Sequence, residues 1–215
     1  GTPPPFVAHP LLDGAGGAPD RAAARRQLGI PPDARVLALF PGSRTQEIAR
    51  HLDPFVESAE LLRKQMPDLQ VIVSAAPHVV IDTRRCPFPI VREASFPVLR
   101  AAGAAMCKSG TTTLEASLAG CPHVVAYRTH PITYAAARRL VKIPYIGLVN
   151  VVAGREVDRE FIQHALQPDR RLFGTGPFRP GKACIGKHAA GEIGGRVEEQ
   201  RVVLGKVPLH VVARL

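Results

Sequence analysis

Two glycine-containing turns hold the residues best suited to bind a phosphate. The first turn, residues 40–47, places Ser43 and Arg44 directly after Gly42. A glycine lets the backbone approach a ligand closely, and free N–H groups at the start of the next helix attract a phosphate. Arg44 can add a charge-assisted contact. An ordinary strand-to-helix turn with a solvated arginine shows the same pattern, and the local sequence alone favours that plainer interpretation.

The second turn, residues 108–115, repeats this arrangement with more hydroxyl groups. Ser109, Gly110 and Thr111 stand where a helix is predicted to start, and their hydroxyls and free N–H groups suit a pyrophosphate. Glu115 follows Thr111 by four residues and shares its helix face, so its carboxylate can accept hydrogen bonds from a ribose diol. A helix merely capped by serine or threonine, with Glu115 favouring its dipole, fits equally well.

Arg128 and Asn150 are weaker candidates. Arg128 follows an apolar run at a position where a base or phosphate can rest, although a lone arginine there is more often a surface charge. The amide of Asn150 can read a uracil edge or cap the following turn, and both roles stay open. The partner pattern of a catalytic triad is missing around the histidines at positions 9, 51, 78, 123, 130 and 164, which we expect to be structural or exposed.

Apolar runs that alternate with helical patterns must position these turns. We predict strands at residues 36–40, 69–75, 90–91, 104–107 and 123–127. We predict helices at residues 20–28, 95–102, 111–119, 132–142 and 158–166, with an extended segment at 145–149. The alternation predicts βαβ units and therefore an α/β fold with a parallel sheet. Ligands of such sheets bind at the carboxyl ends of the strands, where both turns lie.

Capping residues predict three further helix boundaries. Thr45 can cap a helix that begins at the next residue. Asp53 can cap a second helix with Pro54 at its first position, which predicts a break between the two helices. Gly120 suits the C-terminal end of the helix that follows the second turn.

The net charge of the 215-residue chain is +10, and most of the excess lies near its end. Residues 170–215 hold nine Lys/Arg and three Asp/Glu, a net charge of +6, whereas residues 1–169 carry +4. No nucleic-acid-binding motif accompanies this charge, so we expect no nucleic-acid partner. Periodicity is lost after Pro168 and glycine becomes frequent, which predicts an irregular basic tail that does not fold with the domain.

Metal and membrane signals are weak. The cysteines at positions 86, 107, 121 and 184 form no CxxC pair, so we expect reduced, buried thiols and no metal. The sequence contains no run of about 18 apolar residues, so we predict no membrane-spanning helix. The basic helix with Arg138, Arg139 and Lys142 fits a solvated face better than an anionic lipid surface. The opening Gly1–Phe6 shows no signal-peptide pattern and reads as a chain entered midway.

Six segments, taken in order, resemble one enzyme family. Residues 39–48 resemble its LPGSRxxEI pattern, and residues 108–116 its SGTxTLEA pattern. The other similar segments are residues 6–13, 122–128, 139–150 and 153–156. Each segment is short, but their order and spacing over residues 5–168 resemble the lipid-A-disaccharide synthases. Val149 departs from the family's proline, and Ala8 from its glycine.

The resemblance implies a two-domain glycosyltransferase of the GT-B type, with a Rossmann-like C-terminal domain that binds UDP-2,3-diacylglucosamine. The N-terminal domain would meet the acceptor, 2,3-diacylglucosamine 1-phosphate, at the cytoplasmic surface of the inner membrane. The products would be a β-1′,6-linked disaccharide and UDP, with neither a metal nor a cofactor. The general base would belong to the N-terminal domain, so its identity here is unknown and the isolated chain is expected to be inactive. A homo-oligomer is left open.

The resemblance also divides the chain and assigns its site. Residues 1–19 would be a linker from a missing N-terminal domain, residues 20–168 the UDP-sugar-binding domain, and residues 169–215 a tail foreign to the family, as after a reading-frame disruption. The first turn would face the donor phosphates, and the second would cradle the pyrophosphate and hold the ribose. The implied donor-binding residues are Ser43, Arg44, Ser109, Gly110, Thr111, Glu115, Asn150 and, more weakly, Arg128.

Two other functions stay open. One is another UDP-sugar enzyme of the GT-B type, such as a UDP-GlcNAc epimerase, although the lack of a visible acid–base set argues against it. The other is a non-catalytic UDP-binding fragment, because half of the implied catalytic cleft is missing. UDP binding and turnover, measured on the same sample, would separate the fragment from the enzyme.

Overall fold

Parallel strands form one sheet at the centre of the molecule. The computed structural model describes residues 19–92, 94–130, 133–134, 145–156 and 158–162. The strands are β1 Arg35–Phe40, β2 Leu69–Ala75, β3 Ile90–Arg92, β4 Ala104–Lys108, β5 His123–Tyr127 and β6 Glu160–Ile162. Their order is β3-β2-β1-β4-β5-β6, and every neighbouring pair is parallel. Doubly wound nucleotide-binding folds have this order, so the predicted Rossmann-like α/β fold is confirmed.

Helices cover both faces of the sheet. Those with bounds within the described residues are α1 Arg21–Gln27, α2 Thr45–Gln65, α3 Ser95–Ala101, α4 Thr111–Leu118 and α5 Leu148–Ala153. The central strands β1, β2, β4 and β5 are mostly apolar because both of their faces are buried. Leu37 and Leu39 of β1 pack in one core cluster with Phe55 of α2. Val36 and Ala38 point the other way, into a second cluster that contains residues of α1, α3 and α4.

Pro54 lies inside α2, so the predicted break at Asp53 is wrong. The helix runs without interruption over 21 residues. Leu52 and Phe55 are only 1% and 0% exposed and pack in the core on either side of the proline. The hydroxyl of Ser58 donates to the carbonyl of Pro54 over 2.6 Å. Burial of this helix face outweighs the single backbone hydrogen bond that a proline cannot donate.

The end of the described chain corrects two further predictions. The segment predicted to be extended at residues 145–149 enters α5 at Leu148. The helix predicted at residues 158–166 is wrong for Glu160–Ile162, which form β6 beside β5. The backbone N–H of Val125 in β5 donates to the carbonyl of Arg159 over 2.9 Å. Pairing with the open edge of β5 therefore overrides the local helical pattern.

Several predictions lie at or beyond the limits of the described residues. Of the predicted helix at residues 132–142, the structure describes Thr133 and Tyr134, which are helical. Residues 1–18 and 163–215 fall outside the description, so the linker, the tail and the boundary at Pro168 stay predictions. None of the described helices has both the length and the apolar character needed to cross a bilayer.

The strand register brings the two glycine-containing turns together. Phe40, at the end of β1, is paired with Cys107 near the end of β4. Lys108, the last residue of β4, is paired with Ala126 near the end of β5. The connections that follow β1, β4 and β5 therefore lie side by side at one edge of the sheet. The boundary between β1 and β4 is the point where the strand order reverses, which is where such sheets bind ligands.

Candidate functional site

The first turn is closed by a side chain of its own. Gly42 has φ +132°, and a Cβ atom built on it would lie 2.5 Å from Cβ of Glu47. The Glu47 carboxylate accepts the backbone N–H of Ser43 over 2.9 Å and that of Arg44 over 3.3 Å. Glycine is thus required here because the Glu47 side chain occupies the space that a Cβ would need. The backbone N–H groups of Ser43 and Arg44 are therefore already bonded to this carboxylate.

The side chains of the first turn remain accessible. Arg44, not Thr45, is the N-cap of α2, so the helix begins at Thr45, one residue earlier than predicted. The Arg44 side chain is 76% exposed, and its Nη1 lies 3.3 Å from Oε1 of Glu47. Ser43 is exposed, and its carbonyl oxygen lies 3.0 Å from Nε2 of His78. Both predicted donor-binding residues of this turn therefore face solvent at the carboxyl edge of the sheet.

The second turn is open at its tip and anchored at its base. Ser109 is buried, and its hydroxyl donates to the carbonyl of Ile146 over 2.9 Å, so it serves the fold. Thr111, the first residue of α4, is exposed, and Gly110 before it is partly exposed. A Cβ atom on Gly110 would find only Nζ of Lys108 within 4 Å, at 3.7 Å. This turn therefore leaves room beside the start of α4.

A partly buried ion pair joins the two turns, and the sequence patterns did not predict it. Nζ of Lys108 lies 2.9 Å from Oε1 of Glu47, and the two side chains are only 17% and 13% exposed. Burial raises the pKa of Glu47, but hydrogen bonds from Lys108 and Ser43 outweigh it and hold that pKa below its usual value. Glu47 is therefore an anion at neutral pH, with Lys108 as its counter-charge.

A neutral histidine ties the end of β5 to the first turn. Nε2 of His51 accepts the backbone N–H of Arg128 over 2.8 Å, and Nδ1 lies 2.8 Å from the carbonyl oxygen of Glu47. Because Nε2 accepts, the ring proton resides on Nδ1. Burial lowers the pKa of His51 to about 4, which keeps the ring neutral at physiological pH. The structural role expected for this histidine is confirmed, and the Arg128 side chain stays exposed.

Glu115 and Asn150 occupy different environments. Glu115 of α4 is partly buried, and this burial raises its pKa although the hydroxyl of Ser95 donates a hydrogen bond that lowers it. Asn150 is fully buried. Its amide nitrogen donates to the carbonyl of Asp158 over 2.7 Å and to Oε1 of Glu160 over 2.8 Å. The amide of Asn150 thus joins α5 to β6, and a direct contact with a donor stays a prediction.

The assembled edge suits an anionic ligand. The structure brings the two turns together, with Arg44 and Lys108 against the Glu47 carboxylate, and the exposed Arg128 follows β5 at the same edge of the sheet. Open N–H groups at the start of α4 add a positive dipole end. Among the described residues, no cluster of three His, Cys, Asp or Glu side chains is arranged to hold a metal ion.

Residues 2–174 of the sequence match the family model of lipid-A-disaccharide synthetase. This chain belongs to the lipid-A-disaccharide synthetase family. A relative from Sodalis glossinidius (strain morsitans), the lipid-A-disaccharide synthase, is 43% identical over 177 residues, which are 76% of this chain and 45% of the relative. The synthase of Serratia proteamaculans (strain 568) is 41% identical over 186 residues, which are 80% of this chain and 48% of that protein.

The matches cover only part of each relative. A member of the lipid-A-disaccharide synthetase family, it spans about half the length of the curated relatives it matches. Its fold is similar to that of WaaG, a glycosyltransferase involved in lipopolysaccharide biosynthesis, with a TM-score of 0.50 and 14% identity over 85% of this chain and 48% of that one. This likeness supports the GT-B type of fold, whereas the family is carried by the sequence.

Proposed function

We propose that this chain is the donor-binding half of a lipid-A-disaccharide synthase. The whole enzyme would transfer 2,3-diacylglucosamine from its UDP donor to 2,3-diacylglucosamine 1-phosphate. One observation carries the proposal: in a member of this family, two helix-starting turns, joined by the Glu47–Lys108 ion pair, meet where the strand order of a Rossmann-like sheet reverses. Such a crevice is where these sheets bind nucleotides.

In the proposed reaction, this chain would stabilise the leaving UDP, and a part of the enzyme outside this chain would supply the base. A hydroxyl oxygen of the acceptor forms a bond to the anomeric carbon of the donor sugar, and the bond from that carbon to the β-phosphate oxygen of UDP breaks. UDP leaves with the electron pair of that bond, so positive groups beside its phosphates stabilise the transition state. The start of α4 and the exposed Arg44 and Arg128 supply such groups. The hydroxyl proton goes to a base that we place outside this chain.

We place the enzyme at the cytoplasmic face of the inner membrane because both proposed substrates carry acyl chains. Neither a metal nor another cofactor has a step in this proposal, and UDP-sugar is a substrate. A nucleic-acid partner is not proposed, and assembly into a homo-oligomer stays a prediction. The match to the synthase family gives no support to the alternative of a UDP-GlcNAc epimerase.

A second candidate is a UDP-binding chain without turnover of its own. The observation that favours it is the match to only 45–48% of each relative's length. Both candidates predict that the chain alone binds UDP and does not release UDP from the donor, with or without the acceptor. Release of UDP from donor and acceptor by the purified chain would instead place the whole active site within these 215 residues.

Calorimetric titration of the chain with UDP tests the proposal, with ADP as the matched control. We expect UDP to bind and ADP to bind more weakly, because the donor site must distinguish uracil from adenine. UMP reports how much of the affinity depends on the second phosphate. No binding of UDP by a chain that is folded by circular dichroism would contradict the proposal.

A further inference from the structure

The Lys108 ammonium group is held at the open end of the second turn. Its Nζ is 2.9 Å from the Glu47 carboxylate and 3.7 Å from the position that a Cβ of Gly110 would occupy. Glycine thus leaves no side chain between this ammonium and the start of α4. An ammonium has three N–H donors, so one bond to Glu47 leaves others free for an incoming anion.

The two turns differ in what they can offer a phosphate. In the first turn, the Glu47 carboxylate already accepts the N–H groups of Ser43 and Arg44. This carboxylate would also repel a phosphate placed near it, unless its charge is compensated. The partly buried Lys108 provides that compensation from the neighbouring strand. A phosphate at the second turn would lie next to this ammonium, whereas a phosphate at the first turn would meet the carboxylate.

We propose that Lys108 contacts the phosphates of the donor, and that Glu47 is the positioning residue that holds the Lys108 ammonium beside the start of α4. The inference rests on the proposed function, since it requires a nucleoside diphosphate in this crevice. Lys108 would fix the position of the diphosphate, and the closed first turn would keep the lysine from extending into solvent.

Substitution of Lys108 by methionine tests the inference because it keeps the length of the side chain and removes the charge. We expect Lys108→Met to raise the Kd for UDP on the order of 10- to 100-fold, the usual effect of losing a hydrogen bond between charged groups. The matched control is Lys64→Met, which removes an exposed lysine from the far end of α2 and should leave the Kd unchanged.

A double variant separates phosphate contact from mere charge compensation. Lys108→Met removes the closer of the two cations beside the Glu47 carboxylate, whereas Lys108→Met combined with Glu47→Gln removes both charges of the partly buried pair. If Lys108 contacts phosphate, the double variant still binds UDP weakly although its stability recovers. If Lys108 only neutralises Glu47, the double variant regains the affinity of the unmodified chain, and the inference is overturned. Should the single variant fail to fold, the double variant carries the test.

The unmodified chain separates failure of this inference from failure of the proposed function. Tight UDP binding by the unmodified chain, with the same Kd in Lys108→Met, overturns the role of Lys108 and leaves the donor site standing. No UDP binding by the folded, unmodified chain overturns both. Weakened binding in both Lys108 variants, with an unchanged Lys64→Met control, supports the inference.

Discussion

The turn after β1 and the turn after β4 look alike in sequence but differ in structure. Each places a glycine just before a helix at the same edge of the sheet. The first is filled by the carboxylate of Glu47, which accepts two backbone N–H groups of its own turn. The second has no such acid, and its first helical residue, Thr111, is exposed. A glycine before a helix is therefore not enough to leave the N–H groups of the turn free for a phosphate. The side chain of the third helical residue must also not accept them, as Glu47 does in the first turn.

Substitution of the two glycines by alanine should affect the stability of the two turns very differently. Gly42→Ala would place a Cβ 2.5 Å from Cβ of Glu47, whereas Gly110→Ala meets nothing closer than 3.7 Å. Both positions have a positive φ that alanine rarely adopts, so the collision is what separates them. We expect Gly42→Ala to lower the free energy of unfolding by about 1–3 kcal/mol more than Gly110→Ala. Urea unfolding of both variants measures this difference, and equal losses would contradict the packing role of Gly42.

A second prediction concerns the ribose contact assigned to Glu115. Glu115→Ala should weaken UDP binding by about 1–3 kcal/mol if the carboxylate accepts hydrogen bonds from the ribose. Titration with 2′-deoxy-UDP sharpens the test, because the unmodified chain should prefer UDP and the variant should lose that preference. Glu57→Ala, on the exposed face of α2, is the matched control. A folded Glu115→Ala variant with unchanged affinity for UDP would remove the glutamate from the site.

A third prediction is a pH dependence of the free energy of unfolding, because His51 accepts the backbone N–H of Arg128 only as a neutral ring. The pKa of His51 is lowered from 6.5 to about 4 in the folded chain, so the unfolded chain binds the extra proton first as the pH falls. Stability from this residue is complete above about pH 6.5 and is lost towards pH 4, by up to about 1.4 kcal/mol per pH unit. Urea unfolding of the unmodified chain and His51→Gln at pH 7 and pH 5 measures it.

The control for this pH dependence is His78→Gln, which replaces an exposed histidine. We expect the unmodified chain and His78→Gln to lose similar stability between pH 7 and pH 5, and His51→Gln to lose less. Identical losses in all three proteins would show that His51 titrates normally in the folded chain, against its burial and its two hydrogen bonds.

Local sequence patterns predicted most of the sheet because its strands are continuous apolar runs bounded by turn residues. β2 and β5 have the predicted bounds, 69–75 and 123–127. The failures lie where tertiary contacts override local preference. Pro54 stays in a helix because that face of α2 is buried, and Glu160–Ile162 form a strand because β5 offers an open edge.

The sequence predicted the sheet edge at which the candidate site lies, but not the ion pair at its centre. The two turns were expected at one sheet edge, and the strand register confirms this. The Glu47–Lys108 pair spans 61 positions in the sequence and forms only because β1 and β4 are neighbours. An acidic residue at the third position of a helix is a known capping signal, so Glu47 alone was open to prediction. The pairing with Lys108 required the strand order.

Backbone amide NMR of the chain titrated with UDP tests most directly the claim that donor phosphate binds the second turn while Glu47 closes the first. We expect the largest shifts near the phosphates at the amides of Gly110 and Thr111. The amides of Ser43 and Arg44 should shift little, because they stay bonded to Glu47. Large shifts at Ser43 and Arg44, with Gly110 and Thr111 unchanged, would contradict the account and place the phosphate in the first turn.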